Sequence, residues 1–423
     1  MQSRQLTCVT AVVLLALVLP FRLPAQQTRY TVSFLGTLGG CCSVPFGINN
    51  NGAVEGNSTL PGDQNFHGFF WRDGVITDIG TLGGPNSNGD FGAPYGPNER
   101  GQLVGNAFTS IPDPFGEDFC FSGANLICAP FVWQKGVMTP LPTLGGYNGV
   151  AGDINNRGQI IGLAENAVPD TDCPGTRQSK PVLWEKGNIQ ELPTFPGDPD
   201  GQGIAINDLG QAVGISGIAC IQAAFAAHGL LWQNGTWVDL GNLGGGTFNF
   251  PQNINNQGQV VGSSDLPGDT FPGHAFLWTQ DSGIQNLGTL PGDVSSGAKD
   301  VNDKGQVVGQ SCDANMNCRA FLWQNGVMTD LNAVVPGGGS TFFMIEAVGI
   351  NSRGQIAVTA FDANTGDCCA FLATPLNSQS LDTTASNSVS EKPKIVIPTN
   401  VRKMLDHWRA QRYHTPGLGV PNY

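Results

Sequence analysis

The chain has 423 residues, 59 of them Gly, a formal net charge of −13 and only 13% charged residues. About a quarter charged is usual, so its surface must lean on Asn, Gln, Ser, Thr and Gly, and so much Gly without a collagen triplet points to many tight turns between short strands. An acidic body also argues against nucleic acid, whose phosphates need clustered Lys and Arg.

Residues 1–25 read as a secretory leader. Arg4 opens it, Val9 to Leu19 form its apolar core, and Leu23-Pro24-Ala25 resembles a small-residue cleavage site. The apolar core is short for a membrane span and no later segment is long enough for one, so an exported protein, extracellular or periplasmic, without a transmembrane segment is expected. Losing Arg4 and Arg22 with the leader takes the net charge from −13 to −15, and losing Cys8 leaves ten of the eleven cysteines.

Three signatures then recur in fixed order. The first is of the Leu-Gly-Thr-Leu-Gly-Gly type, at Leu35–Gly40, Ile79–Gly84, Leu141–Gly146, Leu192–Gly197, Leu240–Gly245, Leu287–Gly292 and, degraded, Leu331–Gly338. The second is Ile-Asn-x-x-Gly-Gln-x-x-Gly, whose Asn falls at 49, 98, 155, 207, 255, 302 and 351, in steps of 49, 57, 52, 48, 47 and 49. The third is Phe-Leu-Trp, ending at Trp71, Trp133, Trp184, Trp232, Trp278 and Trp323, with Ala373 in the seventh place. A fixed period in this range means a propeller, a solenoid or an array.

Each unit parses into four strands. Strand a leads into Ile-Asn, and strand b is the Gln-Val-Val-Gly run beyond the turn. Strand c is Ala-Phe-Leu-Trp, turned through pairs such as Asn234-Gly235 and Asn325-Gly326 into strand d. The ends are complementary. Arg29–Gly36 is a strand d without a strand c before it, and Ala370–Ala373 a strand c without a strand d after it. A solenoid would carry capping repeats instead. The expectation is an all-β, seven-bladed β-propeller of four-stranded blades over residues 26–373, closed by the N-terminal strand and monomeric.

A Ser/Thr-rich linker (374–390) and a basic tail (391–423) follow. Residues 374–423 carry a net +3. Val401, Met404, Leu405 and Trp408 fall at helical spacing, so a short amphipathic helix is expected over Asn400 to Tyr413. It would dock on the acidic propeller or, alternatively, on an anionic surface.

The units resemble the HAF extracellular repeat family, named for a His-Ala-Phe tripeptide. His274-Ala275-Phe276-Leu277-Trp278 carries it in full, and the other two signatures also look like that family's consensus, over roughly residues 30 to 373. His67 and His228 depart from it with His-Gly, and the last unit lacks its Trp. The resemblance implies export and a β-repeat fold, and brings no established activity or site residue.

The Trp of strand c, recurring at one structural position, is expected in the core between blades, and the recurrent Asn as a turn residue. Cys120, Cys128, Cys173, Cys220, Cys312, Cys318, Cys368 and Cys369 all fall in b–c loops, and Cys41 and Cys42 in a d–a connector. In an up-and-down blade those two loop classes share one face. Disulfides are expected within loops (120–128 and 312–318), between adjacent blades (173–220), and between Cys41/Cys42 and Cys368/Cys369 where the ring closes. Zinc is the weaker alternative, since cysteine doublets without paired His are poor ligand spacing.

The longest insertion, Asn106 to Pro130, accounts for the step of 57. It offers Asp113, Glu117, Asp118, Phe119 and Phe121 as binding candidates, with a solvated loop as the plainer reading. Pro-Gly-Asp recurs at Pro61–Asp63, Pro196–Asp198, Pro267–Asp269 and Pro291–Asp293. One Asp per turn supplies too few oxygens for calcium unless loops converge, so no cofactor or metal is expected, with calcium the weak exception. No nucleophile elbow, zinc-type His pair or phosphate loop is present. The expected function is a non-catalytic binding or structural module recognising an extracellular glycan or protein through its b–c face. The alternative is a carbohydrate-active enzyme with two carboxylates at the central channel.

Overall fold

A computed structural model describes residues 28–87, 96–120, 123–217, 228–246, 248–268, 273–335, 342–362 and 368–376. The leader, Phe121, Cys220, Asp269 and everything beyond residue 376 lie outside them. The described residues form seven four-stranded antiparallel sheets in the order a-b-c-d from the inside outward. They make a seven-bladed β-propeller. Blade 3, for example, is Gly145–Ile154, Ile160–Pro169, Arg177–Glu185 and Asn188–Glu191.

Closure is as expected. Tyr30–Phe34 pairs antiparallel with Cys368–Pro375 as strand d of blade 7, from Tyr30 opposite Pro375 to Phe34 opposite Phe371. Two backbone bonds finish the seam, Tyr30 N–H to the Val334 carbonyl (3.1 Å) and Leu376 N–H to the Arg29 carbonyl (2.8 Å). That pairing hides two strand edges that would otherwise be open. Strand c of blade 7 runs two residues past the expected end at Ala373.

Each signature has a physical job. In the c–d turns, Asp73, Lys135, Lys186, Asn234 and Asn325 all sit at φ of 49–53°, each followed by a Gly at 77–86°. Two consecutive positive φ angles give the turn whose twist matches a hairpin, so Gly follows in these five copies. The Gly that ends the Asn-Gly-Gln signature lies in strand b, crowded by strands a and c of its own blade. A Cβ at Gly214 would collide with the Gln202 carbonyl and come within 2.8 Å of the Trp232 ring. Trp133, Trp184, Trp232, Trp278 and Trp323 are buried, while Trp71 is half-buried. Trp184 and Trp232 donate their indole N–H to the Pro142 and Pro193 carbonyls of the preceding connectors at 2.8 Å each. Apolar clusters accordingly span neighbouring blades rather than fill one, as where Val104 of blade 2 packs with Ala151 and Trp184 of blade 3.

The His of the His-Ala-Phe position ties strand c outward through Nδ1: His67 to Asp78 (2.9 Å), His228 to Asp198 (2.9 Å) and His274 to Asn286 (3.1 Å). All three are scaffold contacts.

Strand a carries a register shift just before its Ile-Asn in blades 1, 3, 4, 5, 6 and 7. Such a bulge adds a residue and twists the strand. Asp153, Asn253 and Asp300, each immediately after the extra residue, line the central channel.

Candidate functional site

The two faces of the ring are built differently. On the a–b face the seven recurrent asparagines form a closed circle. Each donates Nδ2–H to the backbone carbonyl of the equivalent Asn in the next blade, from Asn49 through Asn98, Asn155, Asn207, Asn255, Asn302 and Asn351 back to Asn49, at 2.9–3.1 Å. Within its own turn, the Oδ1 of Asn207 accepts the N–H groups of Leu209 and Gln211, and its Nδ2 also reaches the Gln211 side chain. That explains the spacing Asn-x-x-Gly-Gln. The asparagine does hold its turn, as the sequence suggests, but it also joins one blade to the next.

A second circuit runs one residue later. The Asn50 N–H donates to Glu99, Glu99 N–H to Asn156, Asn156 N–H to Asp208, Asp208 N–H to Asn256, Asn256 N–H to Asp303, and Ser352 N–H to Asn50, at 2.7–2.9 Å. Below this rim the channel mouth encloses about 170 Å³. Burial pushes the Asp153 carboxyl up to about 7 and that of Asp300 up to about 6, against the backbone N–H groups each accepts. Asp153 takes the N–H of Ile154 (2.7 Å) and of Ile206 on blade 4 (2.9 Å), and Asp300 those of Val301 (2.7 Å) and of Ile350 on blade 7 (2.6 Å). Both carboxylates are thus pinned across a blade boundary by main-chain donors.

The opposite face carries the insertion between strands Gln102–Pro112 and Leu126–Gln134 of blade 2. Asp113 folds this loop from within: its Oδ1 accepts the N–H of Phe115 (2.7 Å) and of Glu117 (3.2 Å). Its Oδ2 accepts from the Asn148 side chain of blade 3 (3.0 Å). Asp118 accepts the Gly123 N–H (2.9 Å). Phe119 is buried against Phe108, Val150, Leu163 and the Cys120–Cys128 disulfide, whose sulfurs accept from the Asn106 amide at 3.1 and 3.3 Å. Four of the five candidate binding residues, Asp113, Glu117, Asp118 and Phe119, therefore serve or lie in the loop's own structure, and Phe121 lies outside the described residues.

The exposed side chains beside them are the ones the sequence did not single out. Phe115 is 49% exposed and Tyr147, from blade 3, is 40% exposed, with ring centroids 5.6 Å apart. The Arg177 guanidinium lies 3.5 Å over the Phe115 ring. Ile111 at the end of strand b of blade 2, and Val168 at the end of strand b of blade 3, are exposed on the same side. Phe115, Tyr147 and Arg177 form an aromatic platform with one cation, and Ile111 and Val168 add exposed aliphatic side chains on the same face.

Beneath it, Glu165 accepts the N–H of Tyr147 (3.3 Å) and both the N–H (3.0 Å) and the side-chain amide (3.1 Å) of Asn148. Glu117 packs against Glu165. Burial, the Glu165 contact and the Glu165 and Asp113 charges push its carboxyl up to about 9.

The cysteines divide. Cys120–Cys128 and Cys312–Cys318 are disulfides, and Cys173 is disulfide-bonded. Among the described residues no disulfide joins Cys41 or Cys42 to Cys368 or Cys369, so the expected closure bridges are not formed. Strand alternation explains half of this. Cys369 packs into the cluster shared with Val308 and Ala320 of blade 6, pointing away from blade 1. Cys41 Sγ instead sits 2.8 Å from the sulfur of its neighbour Cys42, and the seam is joined nearby by the Ala370 N–H donating to Ser43 Oγ (3.2 Å).

The Pro-Gly-Asp aspartates also serve the fold: Asp63 accepts the Cys41 N–H (2.8 Å), Asp198 bonds Ser216 (2.6 Å) and His228, and Asp293 pairs with Arg319 (2.9 Å). Among the described residues, no group of three or more His, Cys, Asp or Glu is arranged to hold a metal ion. No helix among them is long and apolar enough to cross a membrane.

No family model matches the chain, and no curated protein matches it. Among solved structures it is similar to a puromycin-hydrolyzing peptidase of Mycobacterium tuberculosis, at 12% identity and a TM-score of 0.46 over 81% of this chain and 53% of that one. It is also similar to the β-propeller domain of the trilobed protease from Pyrococcus furiosus, at 9% identity and a TM-score of 0.45 over 81% of this chain and all of that one. A puromycin hydrolase matches at 13% identity and a TM-score of 0.45, over 82% of this chain and 55% of that one. The chain spans about half the length of the two hydrolases. At this likeness nothing about their activities passes to it.

Proposed function

We propose that the chain is an exported, non-catalytic binding module that engages a protein partner through the platform of Phe115, Tyr147 and Arg177, with Ile111 and Val168 on the same face. The observation that carries this reading is an exposed aromatic pair on an insertion held down by a disulfide and a buried network. Rigid aromatics exposed on an anchored loop lose little entropy on binding, and Tyr and Arg are the usual anchors of protein interfaces. A glycan fits less well: Arg177 covers one face of Phe115, and the aliphatic Ile111 and Val168 offer nothing to sugar hydroxyls. Export is supported by the disulfides, which persist in oxidising compartments.

A photo-crosslinking residue placed at Tyr147, with one at the exposed Val327 of a c–d turn on the opposite face as control, tests the reading. Crosslinking at 147 that Phe115→Ala abolishes supports it. Equal capture at both positions, or glycan-array binding that survives Phe115→Ala, contradicts it.

A further inference from the structure

Under the platform, the sides of the loop and of blade 3 meet through acids. Glu117 is 6% exposed and Glu165 1% exposed. No hydrogen-bond donor among the described residues reaches either Glu117 oxygen. Its contact is the Glu165 carboxyl, and two carboxyl groups hydrogen-bond only when they share a proton. The charged groups facing this point are Asp113 from the loop, Glu165 from strand b of blade 3 and Arg177 from strand c. Strand a contributes only the neutral donors of Tyr147 and Asn148. Fully ionised, three carboxylates against one guanidinium would leave buried negative charge uncompensated, which an interior does not tolerate.

We propose that Asp113, Glu117 and Glu165 form a proton-operated latch that holds residues 113–120, and with them Phe115, onto blade 3. The inference rests on the platform reading for its purpose, though not for its physics. Docking the loop takes one proton from solvent onto Glu117, which then donates to Glu165. The undocked Glu117 titrates near its ordinary 4.5, the docked one near 9. A group raised on docking favours the docked form fully below 4.5, and that advantage is lost as pH rises toward 9. Between those limits the docking equilibrium falls by up to about tenfold per pH unit. The latch is tight in acid and loosens through the neutral range, so partner binding weakens in the same direction.

Hydrogen exchange of the amides of 113–120 and 123–126 between pH 5 and pH 8, corrected for the intrinsic pH dependence of exchange, reads the latch without any partner. The expected result is protection that declines by up to about tenfold per pH unit in the native chain. In Glu117→Gln it should not change with pH, because the amide donates to Glu165 at every pH; Glu165→Gln should flatten the profile as well. Native protection constant from pH 5 to 8, or an unchanged slope in Glu117→Gln, overturns the proposal. If the latch titrates as expected but Phe115→Ala leaves partner capture intact, the platform reading fails and the latch stands.

Discussion

The a–b rim and the b–c insertion are both held by side-chain hydrogen bonds, and they use that bonding oppositely. At the rim one solution is copied seven times: Asn207 holds its own turn, reaches Gln211 and bonds the next blade, as its counterparts do. The insertion occurs in one blade, and although Asp313 caps the blade 6 loop as Asp113 caps this one, the link from Asp113 through Asn148 to Glu165 is not repeated among the other described residues. Repetition serves closure, whereas the single insertion leaves an exposed aromatic pair above a buried anchor. Conserved chemistry around a ring therefore need not mark a ligand, and the departure from it is the better guide.

The comparison can be broken first at the scaffold. Gly214→Ala, which drives a Cβ into the Gln202 carbonyl and the Trp232 ring, should cost about 3 kcal/mol or more of unfolding free energy in denaturant titration. Asn207→Ala removes hydrogen bonds to Asn255, Gln211 and Leu209, and should cost about 2–4 kcal/mol by the same measurement. A loss under about 0.5 kcal/mol would mean the circle adds nothing.

Asp153 gives a pH readout. Its carboxyl is raised by burial from 3.8 to about 7, so its contribution is fully present below 3.8 and lost as pH climbs to 7. In Asp153→Asn, the decline in thermal stability between pH 4 and 7 should shrink, measured by calorimetry against the native chain. The slope would persist if other groups governed it.

At the insertion the effects should be more local. Cys120→Ser with Cys128→Ser frees an eight-residue separation, worth about 2–3 kcal/mol on the chain-entropy account, and should raise hydrogen exchange in 113–126 more than it lowers the melting temperature. Phe115→Ala, at a half-exposed position, should change unfolding by less than about 0.5 kcal/mol.

These contrasts match what the sequence could and could not disclose. Seven copies of Asn and Gly and six of Trp, recurring in fixed order, revealed the propeller and its closure, because each motif reports a local turn or strand. The step of 57 located the insertion. It did not say which side chains face outward: Asp113, Phe115, Glu117 and Phe119 stand at every second position, yet Phe115 is exposed and the other three are buried, because hydrogen bonding to Asn148 and packing on Val150 decide burial. Tyr147 was invisible for another reason: it comes from the next blade, and nothing beside it in sequence marks it. The circle of asparagines joins residues 47 to 57 positions apart, and 302 apart where it closes, beyond any local pattern. Cys368 and Cys369 misled because adjacent strand residues face opposite sides, and the doublet hides which one turns toward blade 6.

The central claim is that recognition belongs to the insertion and not to the rim. The direct measurement is the affinity of the crosslinked partner for three forms of the intact chain: native, Phe115→Ala with Tyr147→Ala, and Asp208→Asn with Asp303→Asn. The account predicts a loss of about thirtyfold or more for the platform pair, the size expected of interface anchors, and a change within about twofold for the rim pair. Strong loss at the rim with binding kept at the platform would contradict it.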